Sequence, residues 1–198
     1  MKKLFILSAI LFLNLSVFSQ RSVTLYNKGN KMLEEGKYEK AKQFYNRAIR
    51  LDRFFPEAYY NRAWVESILK DYASSILDCS KAIDQNPLYK GAYNNRGKDK
   101  DAVKDYMGAI EDYSKAIGLD TVYTKSYFNR AIAWMNLENY EKALIDFTTT
   151  IRLDPGMKDA WYYRGIAKEK MGDGEGAAYD YTVSKTLNPA KEEIYKVK

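Results

Sequence analysis

The sequence predicts an all-α solenoid, an array of short antiparallel helix pairs stacked one on the next. Three observations predict it. From residue 22 the chain falls, without a gap, into rows of 34 residues: 22–55, 56–89, 90–123, 124–157 and 158–191. Within each row apolar residues recur at three- and four-residue steps, the period of a helix buried along one stripe. Small residues hold two fixed row positions throughout. Position 8 is Gly29, Ala63, Gly97, Ala131 and Gly165, and position 20 is Ala41, Ser75, Ala109, Ala143 and Ala177.

Ahead of the rows, residues 1–19 read as a signal peptide. Two lysines, Lys2 and Lys3, precede an apolar run from Leu4 to about Phe18, and Val17-Phe18-Ser19 offers a small residue for cleavage. The apolar run is about 15 residues, shorter than the ~20 that span a bilayer. The alternative is an uncleaved anchor. Cleavage after Ser19 implies an exported protein, periplasmic or extracellular, with no membrane contact once the segment is removed.

Each row then divides into two helices. In row 1, "YEKAKQFYNRAIRL" sets Tyr38, Ala41, Tyr45, Ala48 and Ile49 on one stripe. The first half of each row has the same period, and a turn such as Glu35-Gly36-Lys37 or Lys70-Asp71 separates the halves. Large residues fill position 17 (Tyr38, Tyr72, Tyr106, Tyr140, then Gly174) and position 24 (Tyr45, Cys79, Tyr113, Phe147, Tyr181). Position 27 is small again: Ala48, Ala82, Ala116, Thr150 and Ser184. Proline at position 32 in three rows (Pro87, Pro155, Pro189) is expected to stop the second helix, although Arg53 and Thr121 stand there in rows 1 and 3. Row 5 carries "GDGEG" at 172–176, so its second helix is expected to start weakly, glycine costing about 1 kcal/mol in a helix. Residues 192–198 form a short C-terminal segment, too short for a full capping helix.

The period, the small residue at 8, the small residues at 20 and 27 and the proline at 32 together resemble the tetratricopeptide repeat (TPR) family, over residues 22–191. The resemblance implies a right-handed superhelix in which the first helices of the rows line a concave groove. It also implies mutual stabilisation, because one hairpin cannot bury its own apolar face.

Composition narrows the function. The chain has 198 residues, 46% apolar and 29% charged, with a formal charge of +6. Two of those charges lie in the signal segment, leaving about +4 with both signs interspersed, and no Lys/Arg cluster of the kind that nucleic acid needs. There is no histidine, the usual general base and metal ligand near neutral pH. The single cysteine, Cys79, holds a packing position and is expected in the core. No enzyme, cofactor or metal site is expected. Asp99 and Asp101 within "KDKDAVKD" read as a solvated charged face rather than a cation site, and "GDGEG" falls at a hairpin turn and reads as no phosphate or calcium loop.

On a helical wheel, row positions 4, 7, 8 and 11 share one face and 2, 5, 6, 9 and 13 the opposite one. Position 7 is Arg62, Arg96, Arg130 and Arg164, which therefore point toward the packed side and need partners. Position 23 supplies Asp78, Asp112, Asp146 and Asp180, while row 1 changes both together, to Lys28 and Phe44. Intra-hairpin ion pairs are expected.

Position 6 is Asn27, Asn61, Asn95 and Asn129, then Tyr163. Under the TPR resemblance these line the groove, where a carboxamide can grip a peptide backbone through both donor and acceptor. The alternative is a framework role, each amide bonding the neighbouring helix. Around them stand Tyr60, Phe128 and Tyr162 at position 5 and Trp64 and Lys98 at position 9. Exposed rings there are favoured interface anchors, although partial burial of Trp64 against row 3 is the alternative. Trp134 and Trp161 occupy positions 11 and 4 and are expected in the core. Some TPR proteins clamp a C-terminal carboxylate with Lys and Arg at positions 5 and 9, and at 2 and 6 two rows on. Here Tyr26, Asn30, Gly91 and Asn95 stand there, and no other triplet of rows does better, so that clamp is not formed. The reading is an exported adaptor or scaffold that binds a protein or peptide partner in its groove, in assembly of an envelope or secreted complex. The rivals are a structural protein self-associating through its C-terminal end and, less favoured, a ligand-binding or catalytic module.

Overall fold

The structure, a computed structural model, describes residues 20–187. The expected signal segment 1–19, the end of row 5 with Pro189, and residues 192–198 lie outside the described residues. Among the described residues every regular element is helical. Ten helices make about five pairs: α1 (20–34), α2 (Tyr38–Leu51), α3 (Pro56–Ile68), α4 (Tyr72–Gln85), α5 (Lys90–Ala102), α6 (Tyr106–Leu119), α7 (Thr124–Asn136), α8 (Tyr140–Leu153), α9 (Lys158–Lys170) and α10 (Gly174–Thr186). The chain divides into two compact units, Met1–Asp99 and Lys100–Lys198, with the boundary inside α5. No described helix is long and apolar enough to cross a membrane.

Local rules place the helix ends. At row position 15 the backbone turns left-handed in each row, at Gly36, Lys70, Lys104, Glu138 and Gly172. The next amide then reaches back across the turn, as in Asp71 N–H to the Glu66 carbonyl at 2.9 Å and Asn139 N–H to the Trp134 carbonyl at 2.9 Å. The residue at position 16 starts the second helix as its N-cap. Asp71, Asp105, Asn139 and Asp173 each accept from the amide three residues on. The "GDGEG" stretch is spent in this way, and α10 begins at Gly174 despite its glycines.

The second helices end without needing proline. Rows 1 and 3, which lack it, end at Leu51 and Leu119, the same row position as Leu153 in row 4. The common element is position 31, Asp52, Asn86, Asp120 and Asp154, whose Oδ1 accepts from the amide two residues on at 2.9–3.1 Å. An Asx turn therefore makes the break, and proline adds to it.

In unit 1 the core gathers Ala41, Tyr45 and Val65 with Tyr26, Met32, Leu33, Tyr38 and Leu69 around them. A second cluster joins Ala82, Ile83 and Ala92 to Tyr59, Tyr60, Tyr89 and Tyr93. Cys79 is fully buried. In unit 2 one cluster holds Ala109, Ile110, Tyr113 and Ala133 with Trp134 against them. The other holds Ala131, Ala143 and Phe147, edged by Phe128, Ile132, Met135 and Tyr163. Glycine at position 8 goes with a tyrosine ring at position 24. A Cβ on Gly29 would stand 2.5 Å from the Tyr45 ring, and one on Gly165 2.7 Å from Tyr181. Alanine appears where position 24 is Cys79 or Phe147.

Candidate functional site

The recurring arginine organises the packed side. Arg62 donates through Nε and Nη2 to both oxygens of Asp78, at 2.5 and 2.7 Å. Arg130 holds Asp146 by the same fork at 2.8 Å on both arms, and Arg164 holds Asp180 likewise. The third arm leaves the hairpin. Nη1 of Arg62, Arg96, Arg130 and Arg164 donates to Asn46, Ser80, Ser114 and Thr148, at 2.7, 2.9, 2.9 and 3.4 Å. These acceptors all stand at position 25 of the preceding row. Each guanidinium also lies over the ring at position 4, 5.5 Å from Tyr59, 5.6 Å from Tyr93, 5.7 Å from Tyr127 and 4.8 Å from Trp161. One side chain therefore closes its own hairpin and ties it to the preceding one. The position-25 acceptors escaped the sequence reading because Asn, Ser and Thr do not look alike as letters. Grouped as short hydrogen-bonding residues, they form an unbroken column.

Charge at position 11 varies and has consequences. Lys100 and Lys168 reach Asp112 and Asp180 at 2.9 Å. Burial pushes the Asp180 carboxyl up, but Arg164 and Lys168 together outweigh it and hold the group below the ordinary aspartate range. Row 2 puts Glu66 there instead, 4% exposed, with only Oε1 near a cation, Lys42 at 3.2 Å, and Oε2 unbonded. Burial, then the neighbouring Asp78, push Glu66 up to about 7, against the pull of Lys42 and Arg62. The folded state thus holds a proton that the unfolded chain releases near 4.5, so stability falls as pH rises through that interval to about 7. Glu66→Gln is expected to flatten this slope and raise the thermal midpoint at pH 8. Melting curves from pH 5 to 8 check it, and a wild-type profile flat over that range would refute it.

The "KDKDAVKD" stretch is a correction. Lys98 is exposed as expected, but Asp99 is 1% exposed, Lys100 is paired, and Asp101 is half-buried and accepts from Asn136 at 3.3 Å. Position 10, where Asp99 stands, points into the core in the neighbouring rows through Val65, Ala133 and Ala167. Alternating charge in the sequence masked that wheel position.

The candidate peptide-binding residues occupy the first helices. In unit 1, Asn27 on α1, Trp64 on α3 and Lys98 on α5 are exposed, Trp64 at 45%. Asn61 is half-buried, and its amide donates to the Tyr26 hydroxyl and to Asn30 Oδ1, both at 2.9 Å. Asn30 Oδ1 also accepts from the Tyr45 hydroxyl at 2.8 Å. The Asn61 amide thus serves the framework, the alternative reading of position 6. Asn95 is half-buried, and Tyr60 packs on Tyr89 at 4.7 Å between ring centroids. In unit 2, Asn129, Phe128 and Tyr163 are half-buried. Phe128 meets Phe147 at 5.8 Å and Tyr163 at 5.9 Å, and Tyr163 stacks on Phe147. Tyr162 touches Tyr163 and Tyr181 by one edge and remains 49% exposed. The side chains brought to the surface are therefore Asn27, Trp64 and Lys98 in unit 1 and Tyr162 in unit 2.

Comparison with known proteins agrees with this geometry. Residues 29–65 match a family model described as TPR repeat, and residues 56–87 and 124–157 match models described as tetratricopeptide repeat. The small glutamine-rich tetratricopeptide repeat-containing protein of Dictyostelium discoideum is 43% identical over 65 residues, covering 33% of this chain and 20% of that protein. The chain's matches span a fifth or less of the length of such curated relatives. Among solved structures, the crystal structure of MamA is similar at 20% identity with a TM-score of 0.78, over 90% of this chain and 96% of that one. The first TPR of Spaghetti (RPAP3), bound to the HSP90 peptide SRMEEVD, is similar at 29% identity with a TM-score of 0.60, over 61% of this chain and 95% of that one. The repeating guanidinium fork and these matches agree: residues 29–87 and 124–157 carry tetratricopeptide repeats, within a fold of about five helix pairs.

Proposed function

We propose that this chain is an exported adaptor that captures a segment of a partner polypeptide on the first-helix faces of its repeats, in assembly of an envelope or secreted complex. The observation that carries the reading is the exposure of two large rings, Trp64 and Tyr162, on the first helices of their rows. An exposed aromatic loses little conformational freedom on binding and contributes a large contact area. Asn27 and Lys98, also exposed on first helices of unit 1, offer hydrogen-bonding groups. The peptide held by the similar RPAP3 structure supports a polypeptide as the ligand class. Binding is equilibrium recognition, with no bond made or broken. The signal-like segment 1–19 supports export, and the mature protein is expected to begin at Gln20.

Crosslinking and pull-down from intact cells tests the adaptor role. The Trp64→Ala, Tyr162→Ala double variant is expected to fold with an unchanged thermal midpoint and to lose the polypeptides that the wild type captures, by about 30-fold or more for two anchors of about 1–2 kcal/mol each. Equal capture by both proteins would place the contact elsewhere. Mass spectrometry of the exported protein tests the leader, and retention of Met1 would overturn it.

A further inference from the structure

Asp99 is a buried carboxyl in a place built for an aliphatic side chain. Its Oδ1 lies 2.6 Å from the Ser67 hydroxyl on α3, and its Oδ2 lies 2.5 Å from the Ser75 hydroxyl on α4. Among the described residues no Lys or Arg stands within ion-pair distance of it. Ser75 Oγ is also 2.8 Å from the carbonyl oxygen of Ala63.

A serine hydroxyl has one hydrogen. If Asp99 were ionised, both its Oδ2 and the Ala63 carbonyl would require that hydrogen, and one close pair of oxygens would face each other with none. A proton on Asp99 removes the conflict. Oδ2–H donates to Ser75, Ser75 donates to the Ala63 carbonyl, and Ser67 donates to Oδ1. Every polar atom of the cluster is then used in one direction, as a buried network requires.

We infer that Asp99 is a neutral, hydrogen-donating carboxylic acid at neutral pH, and that it latches α5 to the α3–α4 pair by a bond that rising pH undoes. The sequence supports a purpose-built cluster. Position 20 is alanine in the other four rows and serine in row 2 alone, where its hydroxyl meets the row carrying an acid at position 10. The surroundings agree. Burial pushes the carboxyl up, more than its hydrogen-bonding contacts with Ser67 and Ser75 and the charge of Lys98 on its own helix pull it down. From α4 it faces the thiol of Cys79, itself pushed up by burial, while Asp78 and Arg96 act on that thiol; α3 presents Ser67 and the Ala63 carbonyl. The helix so held carries Asn95 and Lys98.

The sign of the linkage is fixed by the raised carboxyl. The folded state keeps a proton that the unfolded chain gives up in the ordinary aspartate range, so the latch is intact below the folded-state titration and fails above it. The test is a carboxyl carbon-13 NMR titration of the whole chain, with Asp99 assigned by comparison with Asp99→Asn. The Asp99 signal is expected to keep its protonated position at neutral pH. Asp99→Asn offers an amide N–H to Ser75 and a carbonyl to Ser67. In a Glu66→Gln background, which removes one of the two other raised acids and leaves Asp101 the same in both chains, it is expected to keep the neutral-pH thermal midpoint and to show a smaller fall on going alkaline than the Asp99 chain. An Asp99 signal that titrates in the ordinary aspartate range would overturn the inference. So would identical pH profiles with and without the carboxyl. Should Asp99→Asn fail to fold, assignment by sequential NMR lets the wild-type titration decide alone.

Discussion

Replacing Asp180 with alanine is expected to destabilise unit 2 by about 3–5 kcal/mol, the usual cost of stranding the partner of a buried ion pair. The site is harsher than an ordinary pair. Asp180 is fully buried and holds both arms of Arg164 at 2.8 Å and the Lys168 ammonium at 2.9 Å. Its removal leaves two cations facing each other under α10. Since isolated domains are stable by only about 5–15 kcal/mol, the loss should be visible as a large drop in the urea midpoint. A double-mutant cycle with Arg164→Met separates the pair from the lysine. Coupling below about 0.5 kcal/mol would show that the fork contributes no specific energy. The acid limb gives an independent check. With its carboxyl held below the ordinary range, Asp180 contributes stability that is present above that range and is lost as pH falls through its folded-state titration. Asp180→Ala should lose that part of the acid sensitivity.

Phe147→Ala is expected to cost about 3–5 kcal/mol by a different route, loss of burial plus the cavity left behind. Phe147 is fully enclosed by Ala131 and Ala143, with Phe128 and Tyr163 against its ring. Alanines on two sides cannot move in to fill the space, so collapse would have to come from Phe128 or Tyr163. Both belong to the first-helix face, and their shift should appear as lost near-ultraviolet dichroism before the fold is lost. Phe147→Leu, which keeps most of the volume, should cost about 1–1.5 kcal/mol. An alanine variant no less stable than the leucine one would mean that the ring does not fill the space between those helices.

What the sequence made legible follows from which interactions repeat with the same letters. The 34-residue period, the helix pairs, the small residues at 8 and 20 and the Arg–Asp forks are all carried by identical or near-identical residues, so the rows reveal them. The Asx turn at position 31 and the acceptors at position 25 are equally regular in chemistry but use Asp, Asn, Ser and Thr in turn. Asp99 was hidden for the opposite reason. Its partners Ser67 and Ser75 lie 32 and 24 residues away and occur as a set once, so no column announces them. The exposure of Trp64 and Tyr162 needed only the helical wheel. The Asn61 amide could not be placed from sequence, because its direction depends on Tyr26 and Asn30 in the preceding row.

The third arm of the arginine has a further consequence. Rows 2 to 5 each bring a hook at position 7, and each row before them an eye at position 25, so a neighbour gained or lost among them as a whole unit of 34 finds matching hardware on both sides. An indel of 33 or 35 would misalign the fastening at its own junction, since each joins residues only 16 apart. Lengthening or shortening this protein by complete modules should therefore cost little beyond the module itself, whereas a single-residue slip inside a helix should unfasten the row it falls in from its neighbour.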